Sequence, residues 1–426
     1  MKNIGLITEY NPFHNGHKYH IKQSLKLTSA DTVVAVMSGN FVQRGEPAIV
    51  NKLSRAEMAM KNGTDIVIEL PFVYSVQDAG GFAYGAVKTL DMLCGIDSIV
   101  FGSESADINL LGKIASELIK EEEKYDQLIK DYMKKGYSFP QARKFILMDN
   151  LDEDTEKIIN KSNDILGIEY IKNLKKINSQ IKPQVIKRIG ADYNQKSISG
   201  KFSSATAIRD YIKTSYEKSE LKTFIPENVY EILLKNFEKG TGPVFYENLK
   251  ELVFYKVLTS EREELAQYKG VTEGMERRII DAVNSENSLE DAVMKIKSKR
   301  MTHTRIKRTI INILFGITDS DINRYNEYGP QYIRVLAFNE KGKKFLAEYK
   351  KNIKVPVITT ASQYYPIYKY LLKNSEKEDK KYISEPEIFR KMFETDLLAT
   401  KIYSLLYPDK KMSNYNIDID EKILIF

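Results

Sequence analysis

The chain has 426 residues, 42% hydrophobic and 29% charged, which is typical of a water-soluble globular protein with two or three domains. No apolar run approaches the ~18 residues that span a bilayer, and a strand is predicted almost directly after Met1, so we expect neither a signal peptide nor a membrane anchor. The lone cysteine, Cys94, lies in an apolar run and is predicted to be buried. Because one cysteine excludes an internal disulfide, we expect a cytoplasmic protein. The net charge of +7 is compatible with a nucleic-acid partner but does not require one.

The first predicted strand is the apolar run from Ile4 to Ile7, and the Asn11-Pro12 pair that follows breaks it into a turn. A helix is predicted from about Gly16. A turn between a strand and a helix N-terminus favours a phosphate group, because free backbone N–H groups and the helix dipole both attract anions. Three of the four histidines of the chain lie in this turn and the first helical turns, namely His14, His17 and His20.

The histidine cluster has three interpretations. The first is capping and packing of an ordinary turn. The second is a zinc site, although no Cys, Asp or Glu stands close by in sequence as a fourth ligand. The third is a His-x-Gly-His nucleotide site, in which His14 and His17 stabilise charge on the α-phosphate and on leaving pyrophosphate while Gly16 admits the nucleotide. We favour the third, because the motif follows the first strand of an α/β pattern.

Further buried strands are predicted at residues 31–37, 65–70, 97–101 and 182–189, with helices between them, which indicates a parallel, doubly wound sheet. The loop after the second strand carries Arg44, a candidate phosphate or carboxylate contact; an ordinary surface loop is the alternative. Hydroxyl groups precede a helix at Ser203 and Ser204, and Arg209 lies one turn in. This arrangement suits either a helix cap or a phosphate.

Beyond residue 220 the pattern is mainly helical, with short strands predicted near residues 335–338 and 355–359. A basic segment without acidic residues runs from Met294 to Arg308, and its cations indicate either a solvated helix face or contacts with RNA phosphates. We favour RNA for Lys295, Lys297, Lys299, Arg300, Arg305, Lys307 and Arg308. The predicted domains are 1–215, with a charged helical insertion at about 107–178, and 216–426.

Six segments together resemble the bacterial tRNA(Met) cytidine acetate ligase family, a branch of the HIGH-type nucleotidyltransferases: Glu9–His17, Met37–Ala48, Asp65–Pro71, Phe101–Glu104, Ser162–Tyr170 and Ser204–Arg209. The resemblance implies a Rossmann-like (HUP-type) α/β domain followed by a mainly α-helical basic domain that binds tRNA. It also implies that ATP, with Mg²⁺, and acetate give acetyl-adenylate and pyrophosphate. The acetyl group would then pass to N4 of the wobble cytidine of elongator tRNA(Met), releasing AMP.

The resemblance assigns catalysis to His14 and His17 and implies no metal ligand in the protein. Ala205 departs from the usual second signature by lacking a hydroxyl. The residues implied or predicted to bind ATP are Ile7, Thr8, Glu9, Tyr10, Asn11, Pro12, Phe13, His14, Asn15, Gly16, His17, His20, Gly102, Asn163, Arg188, Ile189, Ser203, Ser204, Thr206 and Arg209.

Two other functions remain open at the level of sequence. One is a metabolite adenylyltransferase, which would have no need of the basic segment. The other is an RNA-binding protein whose nucleotide fold has lost its catalytic activity. The joint presence of His14, Gly16, His17 and Arg209 argues against the second of these.

Overall fold

A computed structural model describes residues 1–120, 122–137, 141–142, 161–188, 203–215, 219–272, 274–299, 301–377 and 381–426. Its strands are β1 (Asn3–Thr8), β2 (Thr32–Ser38), β3 (Phe41–Val42), β4 (Glu46–Pro47), β5 (Ile66–Leu70), β6 (Ser98–Ser103), β7 (Lys182–Lys187), β8 (Ile333–Phe338), β9 (Val357–Ile358) and β10 (Leu424–Ile425). In the described parts of the chain, no helix is both long and apolar enough to cross a lipid bilayer.

The helices of the first half are α1 (Asn15–Thr28), α2 (Lys52–Met60), α3 (Phe72–Ser75), α4 (Ala79–Asp91), α5 (Ile108–Lys120), α6 (Glu122–Lys134), α7 (Ser162–Lys176) and α8 (Ala205–Thr214). Those of the second half are α9 (Leu221–Phe224), α10 (Glu227–Glu238), α11 (Lys250–Thr259), α12 (Arg262–Leu265), α13 (Met275–Ser285), α14 (Leu289–Ile296), α15 (His303–Phe315), α16 (Asp319–Tyr328), α17 (Glu340–Tyr349), α18 (Tyr364–Asn374), α19 (Pro386–Leu405) and α20 (Ile417–Asp420).

Five parallel strands form the centre of the main sheet in the order β5-β2-β1-β6-β7. The apolar, β-branched runs of β2 and β5 are buried on both faces, as helices on both sides of a parallel sheet require, whereas the edge strand β7 is partly exposed. From β1 the chain builds β2 and then β5 on one side, and after β5 it crosses to the other side of β1 to form β6 and β7. The crevice at such a reversal, beyond the carboxyl ends of the strands, is where open α/β sheets bind ligands. The predicted doubly wound sheet is confirmed.

Three strands of the second half extend this sheet. Strand β8 pairs antiparallel with β5, with a register shift between Val67 and Ile68, and β9 and β10 pair with β8 in parallel. The second half is therefore mainly helical, as predicted, but it also completes the edge of the first-half sheet. The predicted domain boundary at residue 215 stays a prediction, because residues 216–218 lie outside the described residues.

A buried charge network joins the two halves at this edge. Lys52 of α2 lies 2.9 Å from Glu69 of β5 and 2.9 Å from Asp418 of α20. Arg334 of β8 contacts the same two carboxylates at 3.2 and 2.8 Å. All four side chains are less than 8% exposed, so loss of any one would leave a buried charge with too few partners.

Candidate active site

A cavity of about 230 Å³ opens at the carboxyl ends of β1 and β6, at the predicted reversal of the sheet. Sixteen of the residues predicted to bind ATP line it: Ile7, Thr8, Glu9, Tyr10, Asn11, His14, Gly16, His17, His20, Gly102, Asn163, Arg188, Ser203, Ser204, Thr206 and Arg209. The structure thus gathers side chains from β1, α1, β6, α7, β7 and α8 into one site.

Three predicted ATP contacts do not line the cavity, and a fourth, Ile189, lies outside the described residues. Phe13 is fully buried, and its ring packs against Tyr10 at 4.8 Å between ring centroids. Asn15 points elsewhere and donates to the carbonyl oxygen of Thr223 at 2.9 Å. Pro12 is likewise absent from the lining. These three residues shape the turn and do not form the wall of the cavity, and their contact with ATP stays a prediction.

Sequence reasoning missed much of the apolar wall. Aromatic and aliphatic side chains from α4, β6, α7 and β7 line the cavity together with polar residues of α1, β7 and the loop after β2; they are Tyr19, Gln43, Phe82, Phe101, Leu166, Tyr170, Ile186 and Lys187. Core residues of an α/β sheet carry no motif that separates them from cavity residues. Arg44, predicted from the sequence as a candidate phosphate or carboxylate contact, also lines the cavity.

The two motif histidines form a reciprocal cap on α1. The Nδ1 atom of His14 accepts the N–H of Gly16 at 3.0 Å, and the Nδ1 atom of His17 accepts the N–H of His14 at 3.2 Å. The rings stack with centroids 3.7 Å apart. Capping, the first interpretation of this cluster, is therefore present. It is compatible with the nucleotide interpretation, because the cap uses only one nitrogen of each ring.

The cap also fixes which nitrogen carries the proton. Burial, together with the nearby cations Arg188 and Arg209, lowers the pKa of His14 to about 3. Burial is also the main cause that lowers the pKa of His17 well below its ordinary value. Both imidazoles are thus neutral near pH 7, and since Nδ1 accepts a hydrogen bond, Nε2 holds the hydrogen. Each ring therefore offers one N–H donor for an anion.

The stacked arrangement does not favour the zinc interpretation. The Nδ1 atoms of His14 and His17 are both engaged with backbone N–H groups. Within the described residues, no group of three or more His, Cys, Asp or Glu side chains is placed to hold a metal ion.

Arg209 approaches the cavity from α8. Its guanidinium donates to the carbonyl oxygen of Asn11 at 2.8 Å and to the hydroxyl of Thr206 at 3.4 Å, and it lies 3.6 Å from a carboxylate oxygen of Glu46. At the N-terminus of the same helix, the Ser204 hydroxyl accepts the N–H of Ala207 at 3.2 Å. The second signature therefore supplies both a helix cap and a cation to the cavity.

Next to β6, the carboxylates of Asp164 and Glu104 help to position Asn163 and Arg188, two residues that the family resemblance implies bind ATP. Asp164 is fully buried and accepts the backbone N–H of Glu104 at 3.0 Å. Glu104 in turn accepts a hydrogen bond from the Asn163 amide, whose oxygen accepts from Arg188 at 3.2 Å. Asn163 does not cap α7; the cap position is Lys161, without a side-chain hydrogen bond. Both Asn163 and Arg188 line the cavity.

Several buried polar atoms of the cavity wall lack a protein partner. In the described chain these include Nδ2 of Asn11, Nε2 of His20 and Oγ of Ser203. Buried polar groups in proteins are nearly always hydrogen-bonded. Donors left open in a walled cavity, beside Arg188 and Arg209, suit a large anionic ligand with many oxygen acceptors.

The basic segment is not the continuous helix face that its sequence indicates. Helix α14 ends at Ile296 and α15 begins at His303, so the described residues between them, 297–299, 301 and 302, are not helical. Lys295, Lys297 and Lys299 are exposed and Arg305 is partly exposed, whereas Arg300 lies outside the described residues. Lys295 pairs with Glu286 at 3.0 Å.

Two of the predicted RNA contacts face inward. Lys307 is 3% exposed and lies 2.8 Å from Glu46 and 2.9 Å from Glu290. Arg308 is partly buried and donates to the backbone oxygen of Gln43 at 3.3 Å. The prediction that Lys307 binds RNA is wrong in this structure, because its charge is already satisfied within the protein. Arg308 is also poorly placed for that role.

The fold and the cavity are those of a HIGH-type nucleotidyltransferase, and a family model described as HIGH Nucleotidyl Transferase matches residues 1–418. Among curated proteins, a tRNA(Met) cytidine acetate ligase of Thermosipho africanus is 49% identical, with 100% of both chains covered. Another, of Fervidobacterium nodosum, is 45% identical, covering 100% of this chain and 99% of its own. The chain belongs to the tRNA(Met) cytidine acetate ligase family.

Two solved structures resemble the whole molecule. Thermotoga maritima TmcAL in its apo form has a TM-score of 0.94 at 38% identity, and TmcAL bound with alpha-thio ATP has a TM-score of 0.91 at 38% identity. Each comparison covers 100% of both chains. The predicted fold class and the predicted enzyme family are thereby confirmed.

Proposed function

We propose that this protein is an ATP-dependent ligase that acetylates N4 of the wobble cytidine of elongator tRNA(Met). The observation that carries the proposal is the pair of neutral histidines at the N-terminus of α1, each with an Nε2–H available as a hydrogen-bond donor, in a cation-lined cavity at the reversal of the sheet. Family membership at 41–49% identity supplies the substrates, because these relatives are named tRNA(Met) cytidine acetate ligases. The relative bound with alpha-thio ATP supports ATP as the nucleotide.

In the first step, a carboxylate oxygen of acetate attacks the α-phosphorus of ATP, and pyrophosphate leaves with the electrons of the broken P–O bond. Negative charge grows on the α-phosphate oxygens and on pyrophosphate. The Nε2–H groups of His14 and His17 are suited to donate to these oxygens, since neutral donors fixed in advance need no reorganisation as charge develops. Arg209 and the N-terminus of α8 supply further positive potential for pyrophosphate.

We propose that Mg²⁺ enters with the ATP phosphates. The described wall offers N–H, O–H and cationic groups, and its carboxylate Glu9 already accepts the N–H of Gln43 at 2.7 Å. These hydrogen-bond donors and cations suit the phosphate chain of ATP, and the described wall provides no cluster of carboxylates that could bind a metal ion by itself. Bound through phosphates and waters, Mg²⁺ would neutralise charge on the β- and γ-phosphates.

In the second step, the N4 amine of cytidine attacks the acetyl carbonyl of acetyl-adenylate. A C–N bond forms, the bond from the acetyl carbon to the AMP oxygen breaks, and the amine loses a proton. The amine is a weak nucleophile, so activation of acetate as a mixed anhydride makes the transfer feasible. Since the wobble base lies in a single-stranded loop, it enters the cavity without opening a duplex. We place the RNA phosphates near Lys297, Lys299 and Arg305.

The test combines purified protein with labelled acetate, ATP, Mg²⁺ and bulk tRNA, followed by nuclease digestion and nucleoside chromatography. We expect label in N4-acetylcytidine, dependent on both ATP and tRNA. Label in acetyl-adenylate without a labelled nucleoside would refute the proposal that cytidine is the acetyl acceptor. Absence of both products would overturn the ligase proposal and favour a metabolite adenylyltransferase.

A further inference from the structure

Arg209 reaches the nucleotide cavity, yet one side of its guanidinium faces the interior of the protein. There, the carboxylate of Glu46 lies 3.6 Å away. Glu46 belongs to β4, in the loop that follows β2. The other oxygen of this carboxylate lies 2.8 Å from Nζ of Lys307, in α15 of the second half. A single carboxylate therefore bridges two cations from opposite halves of the chain.

The bridge is partly buried, with the Arg209 side chain 14% and the Glu46 side chain 20% exposed, and Lys307 is held by further contacts. The Lys307 ammonium also contacts Glu290 at 2.9 Å and lies 4.0 Å from the centre of the Tyr246 ring. Burial acts to raise the pKa of Glu46, but Lys307 and Arg209 outweigh it, so the pKa lies below its ordinary value. Glu46 is thus charged near neutral pH, and its attraction to the two cations in this partly buried site is stronger than it would be in bulk water.

The backbone next to Glu46 is also fixed. Gly45 has a φ of 74°, and a Cβ there would lie 2.4 Å from the backbone nitrogen of Arg308. The loop therefore rests directly on the backbone of α15, with no room for a side chain. With its backbone fixed and one carboxylate oxygen held by Lys307 at 2.8 Å, Glu46 presents its other oxygen to Arg209 from a constrained position.

We propose that Glu46 is a positioning residue, anchored by Lys307, that holds the Arg209 guanidinium towards the nucleotide cavity. A guanidinium held in place before the ligand arrives loses little conformational freedom on binding a phosphate. The inference rests on the proposed function only in taking ATP as the ligand of this cavity. Glu46 itself contacts no reacting atom in this scheme.

The test measures the Kd for ATP by calorimetry, alongside acetate-dependent ATP–pyrophosphate exchange. We expect Glu46→Gln to weaken ATP binding about tenfold, because Arg209 loses the carboxylate 3.6 Å away that restrains it and ordering one long side chain on binding costs up to about that much. The KM for acetate should stay unchanged. As a matched control, Glu264→Gln removes an exposed ion pair with Lys256 in the second half, and it should leave the Kd for ATP unchanged.

Two further variants separate positioning from folding. Glu46→Gln alone leaves Lys307 short of a partner, so the double variant Glu46→Gln with Lys307→Met restores the charge balance and should still bind ATP about tenfold more weakly. In an Arg209→Lys background, adding Glu46→Gln should have little further effect, because the residue that it positions is already altered.

An ATP affinity like that of wild type in Glu46→Gln would overturn the proposal. So would a defect that the double variant abolishes, or an equal effect of Glu46→Gln in the wild-type and Arg209→Lys backgrounds. A wild-type protein that binds ATP but shows no acetate-dependent exchange would refute the proposed ligase function, while the affinity ratios would still decide the role of Glu46.

Discussion

Replacing His14 by Asn separates the role of the imidazole in catalysis from its role in folding. The Nδ1 atom of His14 caps α1 by accepting the Gly16 N–H at 3.0 Å. Asparagine is among the best N-cap residues, because its side-chain oxygen accepts the same kind of bond. We therefore expect the free energy of unfolding of His14→Asn to differ from wild type by less than about 0.5 kcal/mol, whereas His14→Ala should lose about 1 kcal/mol.

The rate should respond differently from the stability. Both variants lose the Nε2–H that the structure leaves available for the α-phosphate, and the loss of one preorganised donor costs about 10²–10³ in rate, or about 2.7–4 kcal/mol of transition-state stabilisation. The measurement is acetate-dependent ATP–pyrophosphate exchange at saturating substrates, with urea unfolding of the same preparations. A His14→Asn rate within about threefold of wild type, less than 1 kcal/mol, would refute the donor role.

Three further predictions follow from the geometry. Charge reversal of Lys297, Lys299 and Arg305 should impair tRNA acetylation far more than pyrophosphate exchange. It should also lower the salt dependence of tRNA binding by about three counterions. Equal loss of both activities would contradict the assignment of these residues to RNA binding. Arg55→Met removes a buried guanidinium that donates to the backbone oxygens of Glu9, Ser38 and Gly39. Urea unfolding should therefore show that the free energy of unfolding falls by about 3 kcal/mol or more. A fall of less than about 1 kcal/mol would show that water satisfies these oxygens when the guanidinium is absent. Burial lowers the pKa of His14 to about 3 and of His20 to about 4, from 6.5. Because only the unfolded chain binds these protons near pH 5, the free energy of unfolding should fall as the pH drops from about 7 to 5, and less so in His14→Asn; no difference between the two proteins would count against a neutral, buried His14.

Local sequence signals predicted the centre of the sheet well. Residues 31–37 and 65–70 correspond to β2 and β5 within about a residue, since a buried parallel strand is a continuous apolar run with turn residues at its ends. The motifs around His14 and Arg209 were placed correctly at the cavity for a related reason. They lie at strand-to-helix junctions, and in a parallel sheet those junctions converge at one edge.

Local sequence signals did not predict contacts between residues that are far apart in the chain. The lack of nearby acids around Lys307 indicated RNA, but its partner Glu46 is 261 residues away in sequence. Strand β8 was predicted without a partner, and it pairs with β5 of the first half. The prediction that Cys94 is buried is wrong: it is exposed, with a φ of 57°, in the turn after α4. Its apolar neighbours point inward while the turn itself faces solvent.

The loop between β2 and α2 connects the cavity to two helices of the second half, α15 and α19. It lines the cavity through Gln43 and Arg44. The second half holds this loop through four hydrogen bonds: Thr400 with Asn40, Tyr403 with Ala48, Lys307 with Glu46 and Arg308 with Gln43. A two-step transfer needs the acceptor amine within about 3–3.5 Å of the acetyl carbon of a reactive intermediate. If the second half binds the tRNA, its hydrogen bonds to this loop hold the cytidine and the acetyl-adenylate at a fixed distance from each other.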